Sequence, residues 1–218
     1  EFYKRFAVFF DPLDGSSNLD VGGGVGTIFS IFKIHGDEVD KLVSGRNQLG
    51  AGYILYGPTT IMVLTLGDGT HQFVLDRATG TFVRVKANLQ VPRQGKIYSV
   101  NEANLSSFPE GYQRYVTDCH AAGFSARYSG AMVADVHRVL LKGGVFMYPP
   151  TAKAPNGKLR LMYECNPMAM VMTQAGGAAS TGAGDVLDLA PETLHQRAPI
   201  ALGSVQNVQS IVDKLEEA

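Results

Sequence analysis

Phe6-Ala7-Val8-Phe9-Phe10-Asp11-Pro12-Leu13-Asp14-Gly15-Ser16-Ser17-Asn18 reads as a strand that runs into a turn rich in carboxylates and hydroxyls. The run 6–10 is continuously apolar and ends at the breaker pair Asp11-Pro12, the pattern of a strand buried on both faces with a neighbour on each side. At the carboxyl end of such strands, open α/β sheets form ligand crevices. Pro12 removes a backbone donor and stiffens the turn, so that Asp11, the Leu13 carbonyl and Asp14 can converge as hard oxygen ligands. Mg2+ or Mn2+ suits such a set. Gly15, Ser16, Ser17 and Asn18 add a sharp turn, small side chains and the free amides of a helix start, which suit a phosphate dianion. Asp11-Pro12 and Asp14-Gly15 are also common formers of surface turns. That reading leaves the strand before the turn unexplained, but local chemistry alone keeps both open.

Outward from this stretch, Gly22-Gly23-Gly24 releases the chain into a β-branched and aromatic strand over 27–34, closed by His35-Gly36-Asp37. Leu49, Tyr53 and Tyr56 fall at helical spacing, so 46–56 is expected to form a short helix despite its glycines. Strands over 60–66, 72–76 and 81–86, separated by glycine turns, predict an antiparallel meander. A helix is expected between Pro109 and Gly123. Met132, Val133, Val136, Val139 and Leu140 form a helical apolar stripe that should pack on a sheet, stopped by Lys142-Gly143-Gly144. Strands are expected over 145–148 and 158–163, the second alternating so that Lys158 and Arg160 share a positive face. Asn166 reads as a helix cap with Pro167 at the first helical position, which sets Glu164 just before the helix; Gly176-Gly177 ends it. Short strands over 186–189 and 200–202 and a helix over 208–217 complete the pattern.

The 218 residues allow one large domain or two layers of similar size. Nineteen Lys and Arg against 20 Asp and Glu leave no electrostatic footprint for nucleic acid, which points to a small-molecule partner. The longest apolar runs are far short of the ~20 residues that cross a bilayer, so no membrane association is expected. Cys119 and Cys165 lack metal-ligand or redox spacing and read as buried hydrophobes in a reducing compartment, the cytoplasm. None of His35, His71, His120, His137 and His195 forms a paired ligand spacing, and all five read as structural or surface residues. Glu1 is not a methionine, and the chain enters a strand within five residues, so its start reads as a cut.

The stretch Phe10 to Asn18 resembles the signature of the lithium-sensitive, metal-dependent phosphatase superfamily in its class I fructose-1,6-bisphosphatase branch. Tyr98-Ser99-Val100-Asn101-Glu102, Arg127-Tyr128, Met132-Val133-Ala134-Asp135-Val136-His137-Arg138, the run from Gly143 to Pro149 and the run from Gly157 to Ala169 resemble it too, in the same order. Any one of these is weak; five in sequence across the chain are specific.

The resemblance implies an α/β (α+β) fold, a layered α-β-α-β-α sandwich with its N-terminal layer incomplete. It divides the chain at 1–86, part of a metal- and phosphate-binding layer with the meander, and 87–218, a sugar-phosphate-binding domain. It makes Asp11, Asp14 and Glu164 catalytic metal ligands together with the Leu13 carbonyl, for Mg2+ or Mn2+, with more than one ion in the complete enzyme. Gly15, Ser16 and Ser17 would hold the 1-phosphate that is cleaved, near Arg160. Asn101, Tyr128, Tyr148 and Lys158 would bind the retained 6-phosphate and sugar, joined by Arg127, which in this family reaches a neighbouring subunit, so a homo-oligomer, typically a tetramer, is implied. The activity implied is phosphoric monoester hydrolysis: fructose 1,6-bisphosphate to fructose 6-phosphate, as in gluconeogenesis, by metal-assisted in-line attack of water.

Taken singly, Tyr128 and Tyr148 read equally as core aromatics and Lys158 and Arg160 as a solvated strand face; together they supply what a second phosphate requires. Asn104 stands where the family usually has a tyrosine, which removes one expected phosphate contact. The family also places further acidic ligands, the water-handling group and an AMP site upstream of the first strand. Two alternatives follow: a sedoheptulose 1,7-bisphosphatase, and a chain that keeps part of the pocket but hydrolyses poorly for want of the upstream carboxylates.

Overall fold

The computed structural model describes residues 5–34 and 42–218, so the turn expected at 35–37 lies outside the described residues. Six strands, β1 (Arg5–Asp14), β2 (Val25–Ile34), β3 (Gln48–Tyr56), β4 (Ile61–Thr65), β5 (Thr70–Asp76) and β6 (Thr81–Lys86), form one antiparallel sheet in chain order. Then come β7 (Ile97–Ser99), α1 (Glu110–Ala121), β8 (Ser125–Ala126), α2 (Met132–Lys142) and β9 (Val145–Tyr148). The chain continues through β10 (Leu159–Arg160), α3 (Asn166–Gln174), β11 (Ala178–Ser180), β12 (Arg197–Ala198), β13 (Ile200–Gly203) and α4 (Val205–Glu216). A second sheet has the order β11-β13-β9-β7-β8, parallel where β7 meets β8 and β9 and antiparallel elsewhere, and β10 pairs with β12 alone.

The layers follow from which side chains each strand turns inward. Ile28, Ala51, Tyr53 and Val63 of the first sheet share a core with Val133, Val136, Val139 and Leu140 of α2, Met168 to Met172 of α3, and Phe146, Ile200 and Leu202 of the second sheet. On the opposite face of that sheet, Val145, Met147 and Ala201 pack against Tyr112, Tyr115 and Val116 of α1 and Val208 and Ile211 of α4. The alternation Val145-Phe146-Met147 thus serves two helical layers from one strand. The order is sheet, helix pair, sheet, helix pair, an α+β sandwich, and among the described residues no helix covers the outer face of the first sheet.

Several sequence expectations are corrected. The 46–56 segment is a strand preceded by a short 3-10 turn, Gly45–Asn47, not a helix. Its glycines explain why: a side chain at Gly52 would collide with the Val63 carbonyl and the Phe29 ring on the adjacent strands, so glycine here permits close strand approach. Strand 6–10 is not flanked on both sides. β1 is the outermost strand of the sheet among the described residues, and Phe6, Val8 and Phe10 are 52%, 55% and 56% exposed while Phe9 packs edge-on to Phe32. The strand expected over 158–163 lasts only two residues. Leu161–Cys165 is a π turn that leads directly into α3, because Leu161, Met162, Glu164 and Cys165 are all buried and none can take the outward place that alternation would demand. Asn166 is therefore a buried residue inside the helical path rather than its cap. The 186–189 segment is a 3-10 turn, Val186–Asp188, with the Leu187 amide donating to Asp185 Oδ1 at 2.8 Å. The last helix starts at Val205.

Both cysteines are buried and free. Four histidines are accounted for structurally: Tyr53 Oη lies 2.7 Å from His137 Nδ1, Tyr163 Oη 2.8 Å from His195 Nδ1, His120 Nε2 2.9 Å from Tyr98 Oη and from Glu102 Oε2, and the Asn88 amide donates to His71 Nδ1. His35 lies outside the described residues. Among the described residues no helix is long and apolar enough to cross a membrane.

Gly52→Ala separates strand from helix at 46–56. Alanine would raise stability by up to about 1 kcal/mol in an exposed helix, whereas overpacking between strands costs roughly 1–3 kcal/mol. Urea unfolding is expected to show destabilisation, with a lowered midpoint.

Candidate metal centre

A strand alternates its faces, so residues three apart, such as Asp11 and Asp14, should point to opposite sides. A bulge removes that obstacle. Asp11 pairs with Ile28 and Asp14 with Gly26, three residues on β1 against two on β2, and the extra residue turns both carboxylates to one side. Pro12 sits inside the bulge, where its missing N–H costs nothing, and its carbonyl accepts from Thr27 Oγ1 at 3.0 Å. The Leu13 amide donates to Asp11 Oδ1 at 3.2 Å. Gly15 follows with φ 73°, a left-handed conformation that leads into the 3-10 turn Ser16–Val21. A side chain on Gly15 would also run into Ala131, so the turn packs directly on the start of α2.

That contact brings Asp14 to the N-terminus of α2. The Val133 amide donates to Asp14 Oδ2 at 2.8 Å, and Asp14 is only 6% exposed. The helix has no cap from its own flanking residue, Ala131. Asp14 takes that place from another part of the chain, satisfying an orphan donor and lying at the positive end of the helix dipole.

Glu164 arrives from the opposite side. In the π turn its carboxylate points back four residues, where Oε2 accepts from the Arg160 amide at 2.7 Å and lies 3.5 Å from Arg160 Nη1. The turn is tied to the first sheet by Ser30 Oγ, which donates to the Met162 carbonyl at 3.1 Å, and by Gln48 Nε2, which donates to the Asn166 carbonyl at 3.1 Å. Single π turns of this kind recur at functional sites. One oxygen from each of Asp11, Asp14 and Glu164 lies within 4.8 Å of the other two.

Burial, aided by repulsion from Asp11, pushes the Asp14 carboxyl up to about 6 against the pull of the Val133 amide. Burial pushes Glu164 up to about 7, with Asp11 and Asp14 adding to it and the Arg160 amide and guanidinium opposing it. Three carboxylates this close, two of them out of water, strongly disfavour being charged together unless a cation joins them. Their donor set is all oxygen, which fits Mg2+ or Mn2+.

The remaining residues singled out in the sequence are distributed around this cluster. Ser16 and Ser17 are exposed on the 3-10 turn. Tyr128 is 39% exposed, and its phenol is pushed up to about 12 by burial, with Tyr148, Asp135 and Asp14 contributing. Tyr148 ends β9 and lines a small cleft with Asn101 and Asn104. Asn101 accepts from the Ala103 amide at 3.2 Å as the cap of a 3-10 turn. Arg127 is exposed and donates to the Ala126 carbonyl at 2.8 Å, and Lys158 is exposed at the entry to β10. What Asp135 does is not legible in the run from Met132 to Arg138 that contains it. This fully buried carboxylate accepts from the Ser129 amide, at 2.9 and 3.1 Å, and from Arg138 Nη1 at 2.8 Å. The available signal was an aspartate in the first turn of a helix with arginine three residues on.

Comparison with known proteins places the chain among its relatives. Residues 3–87 match the family described as fructose-1-6-bisphosphatase, N-terminal domain, and residues 91–216 its C-terminal domain. A class 1 fructose-1,6-bisphosphatase from Synechococcus sp. (strain JA-3-3Ab) is 50% identical over 98% of this chain and 66% of its own length. One from Cytophaga hutchinsonii is 49% identical over 95% and 63%. The chain thus spans slightly less than two thirds of the length of these curated relatives. Among solved structures, Leishmania major fructose-1,6-bisphosphatase in its holo form superposes with a TM-score of 0.92 at 39% identity, covering 96% of this chain and 70% of that one; in its T-state the TM-score is 0.94 at 38% identity. Matched along nearly its whole length by both domain families, and at about half identity by their class 1 members, this chain belongs to the class 1 fructose-1,6-bisphosphatase family.

Proposed function

We propose that the protein hydrolyses the 1-phosphate of fructose 1,6-bisphosphate to give fructose 6-phosphate and phosphate, as in gluconeogenesis. The observation that carries this is the gathering of Asp11, Asp14 and Glu164 around one point beside the Gly15-Ser16-Ser17 turn. These carboxylates and the Leu13 carbonyl would hold Mg2+, or Mn2+, which when bound neutralises phosphate charge and makes water a nucleophile near neutral pH. Gly15, Ser16 and Ser17 would hold the phosphate to be cleaved. Arg160, beside Glu164, would face the charge that builds up on that phosphate.

At the other end of the sugar, Tyr128, Tyr148, Asn101, Lys158 and Arg127 would take the phosphate that is retained. A phenol pushed up to about 12 stays protonated at neutral pH, so Tyr128 remains a donor to phosphate oxygen. Holding both ends places the reacting phosphorus in line for attack and converts binding into orientation. Sedoheptulose 1,7-bisphosphate shares these chemical features, but the relatives at 49–50% identity carry the six-carbon name. A homotetramer in the cytoplasm accompanies this reading.

In the full-length protein, phosphate release with Mg2+ is expected to be at least tenfold faster from fructose 1,6-bisphosphate than from sedoheptulose 1,7-bisphosphate; the reverse preference overturns the substrate assignment. Asp14→Asn is expected to lower kcat by roughly 10²-fold or more, since it removes a metal ligand.

Asp14 and Glu164 also set a pH dependence. Their folded values, about 6 and about 7, lie above the ordinary 3.8 and 4.5, so between those limits the folded chain binds more protons than the unfolded one. Their contribution to stability is therefore present below about pH 4 and is lost as pH rises through 6 to 7. Without divalent metal, Glu164→Gln is expected to raise Tm at pH 8 relative to wild type, by about 2–4 °C for each kcal/mol of relieved repulsion. With saturating Mg2+ the order should reverse. A thermal melt series at pH 4 to 8, with and without metal, reads both.

A further inference from the structure

The backbone of Ser129 is held at its amide and at its carbonyl by elements that serve different ends of the site. Its amide donates to both oxygens of Asp135, at 2.9 and 3.1 Å, in the first turn of α2. Its carbonyl accepts from Asn18 Nδ2 at 3.0 Å, on the 3-10 turn that follows Asp14 and Gly15. Asn18 Nδ2 also donates to the Gly24 carbonyl at 3.3 Å, so its side chain is oriented from its own end of the chain. Arg138 Nη1 pairs with Asp135 at 2.8 Å and reaches the Arg127 carbonyl at 3.5 Å. Tyr128 stands between Arg127 and Ser129, so whatever fixes the backbone of those two residues fixes the point from which the phenol projects.

A fully buried carboxylate costs several kcal/mol unless it is paired. Here the Ser129 amide, shared between both carboxylate oxygens, an arginine and the α2 N-terminus offset that cost. α2 is the same helix whose Val133 amide holds Asp14. The acid cluster and the Arg127-Tyr128 loop are thus referred to one rigid element, with Asn18 as a second strut.

We propose that Asn18 and Asp135 are positioning residues that set the span between the metal turn and the Arg127-Tyr128 loop by gripping the Ser129 backbone, Asp135 at its amide and Asn18 at its carbonyl. The inference rests on the reading that Tyr128 receives the retained phosphate. A ligand whose phosphate is held at the Tyr128 loop while the other end of its sugar reaches the metal turn is sensitive to this span, since a shift of about 1 Å can cost ~10²-fold. A lone phosphate at the metal turn is not.

Titration calorimetry on the chain with saturating Mn2+ supplies the test, using fructose 6-phosphate and inorganic phosphate as separate probes. In Asp135→Asn and in Asn18→Ala the ratio of fructose 6-phosphate affinity to metal-dependent phosphate affinity is expected to fall about tenfold. The two changes act on the backbone of one residue, so the double variant should fall little further. Asn18→Ala alters a partly exposed turn and keeps the test decisive if Asp135→Asn does not fold. A ratio within twofold of wild type in the folded variants overturns the inference, as does an equal loss for both probes, which marks a general structural role. Wild-type chain that binds phosphate but no fructose 6-phosphate instead removes the functional reading, and the inference with it.

Discussion

The hydrogen bond from the Val133 amide to the Asp14 carboxylate is the constraint around which the site is built. It draws the bulged end of β1 onto the start of α2, and α2 is packed between both sheets. Its geometry demands that Gly15 have no side chain, because Ala131 occupies that space. It also demands the bulge, because a regular strand would turn either Asp11 or Asp14 away. One interaction therefore joins strand irregularity, helix capping and the position of a charged group.

Electrostatically the arrangement opposes folding. Asp14 and Glu164 are pushed up to about 6 and about 7 because burial and mutual repulsion outweigh the amides and the arginine that stabilise their charge. The surrounding structure sustains this by being rigid. Ser30 and Gln48 pin the π turn and its continuation, and the residues around it are close-packed, with Leu161, Cys165, Met168 and Ala169 fully buried. Strain held by a packed scaffold is what pre-organised cation sites commonly show.

The meander, α1 and α2 were legible because each carries a long, clear period or a turn with glycine where the backbone needs it. The errors fall where packing overrode pattern. Leu49, Tyr53 and Tyr56 matched a helix by spacing, yet only Tyr53 is buried, and the intervening glycines admit neighbouring strands. The run 158–163 alternated like a strand, yet Leu159, Leu161 and Met162 are all buried and the chain from Leu161 coils into a π turn. Strands of two or three residues, such as β7, β8 and β12, are too short to show any period. In the site, the chemistry of Asp11 and Asp14 was visible because the residues lie in one short turn, and Glu164 entered as a ligand only through its family resemblance.

By itself the sequence determined the local chemistry: a turn of paired carboxylates, glycine and serines, an apolar helix stripe, and the order of motifs that marks the family. Only the tertiary structure decided that Glu164 meets Asp11 and Asp14, that Asp14 caps a helix more than a hundred residues away, and that Asp135 and Asn18 hold the backbone of the same residue, Ser129. The physical reason is that residue type and spacing report what a segment can bind or bury, whereas convergence depends on which faces distant segments have left to cover.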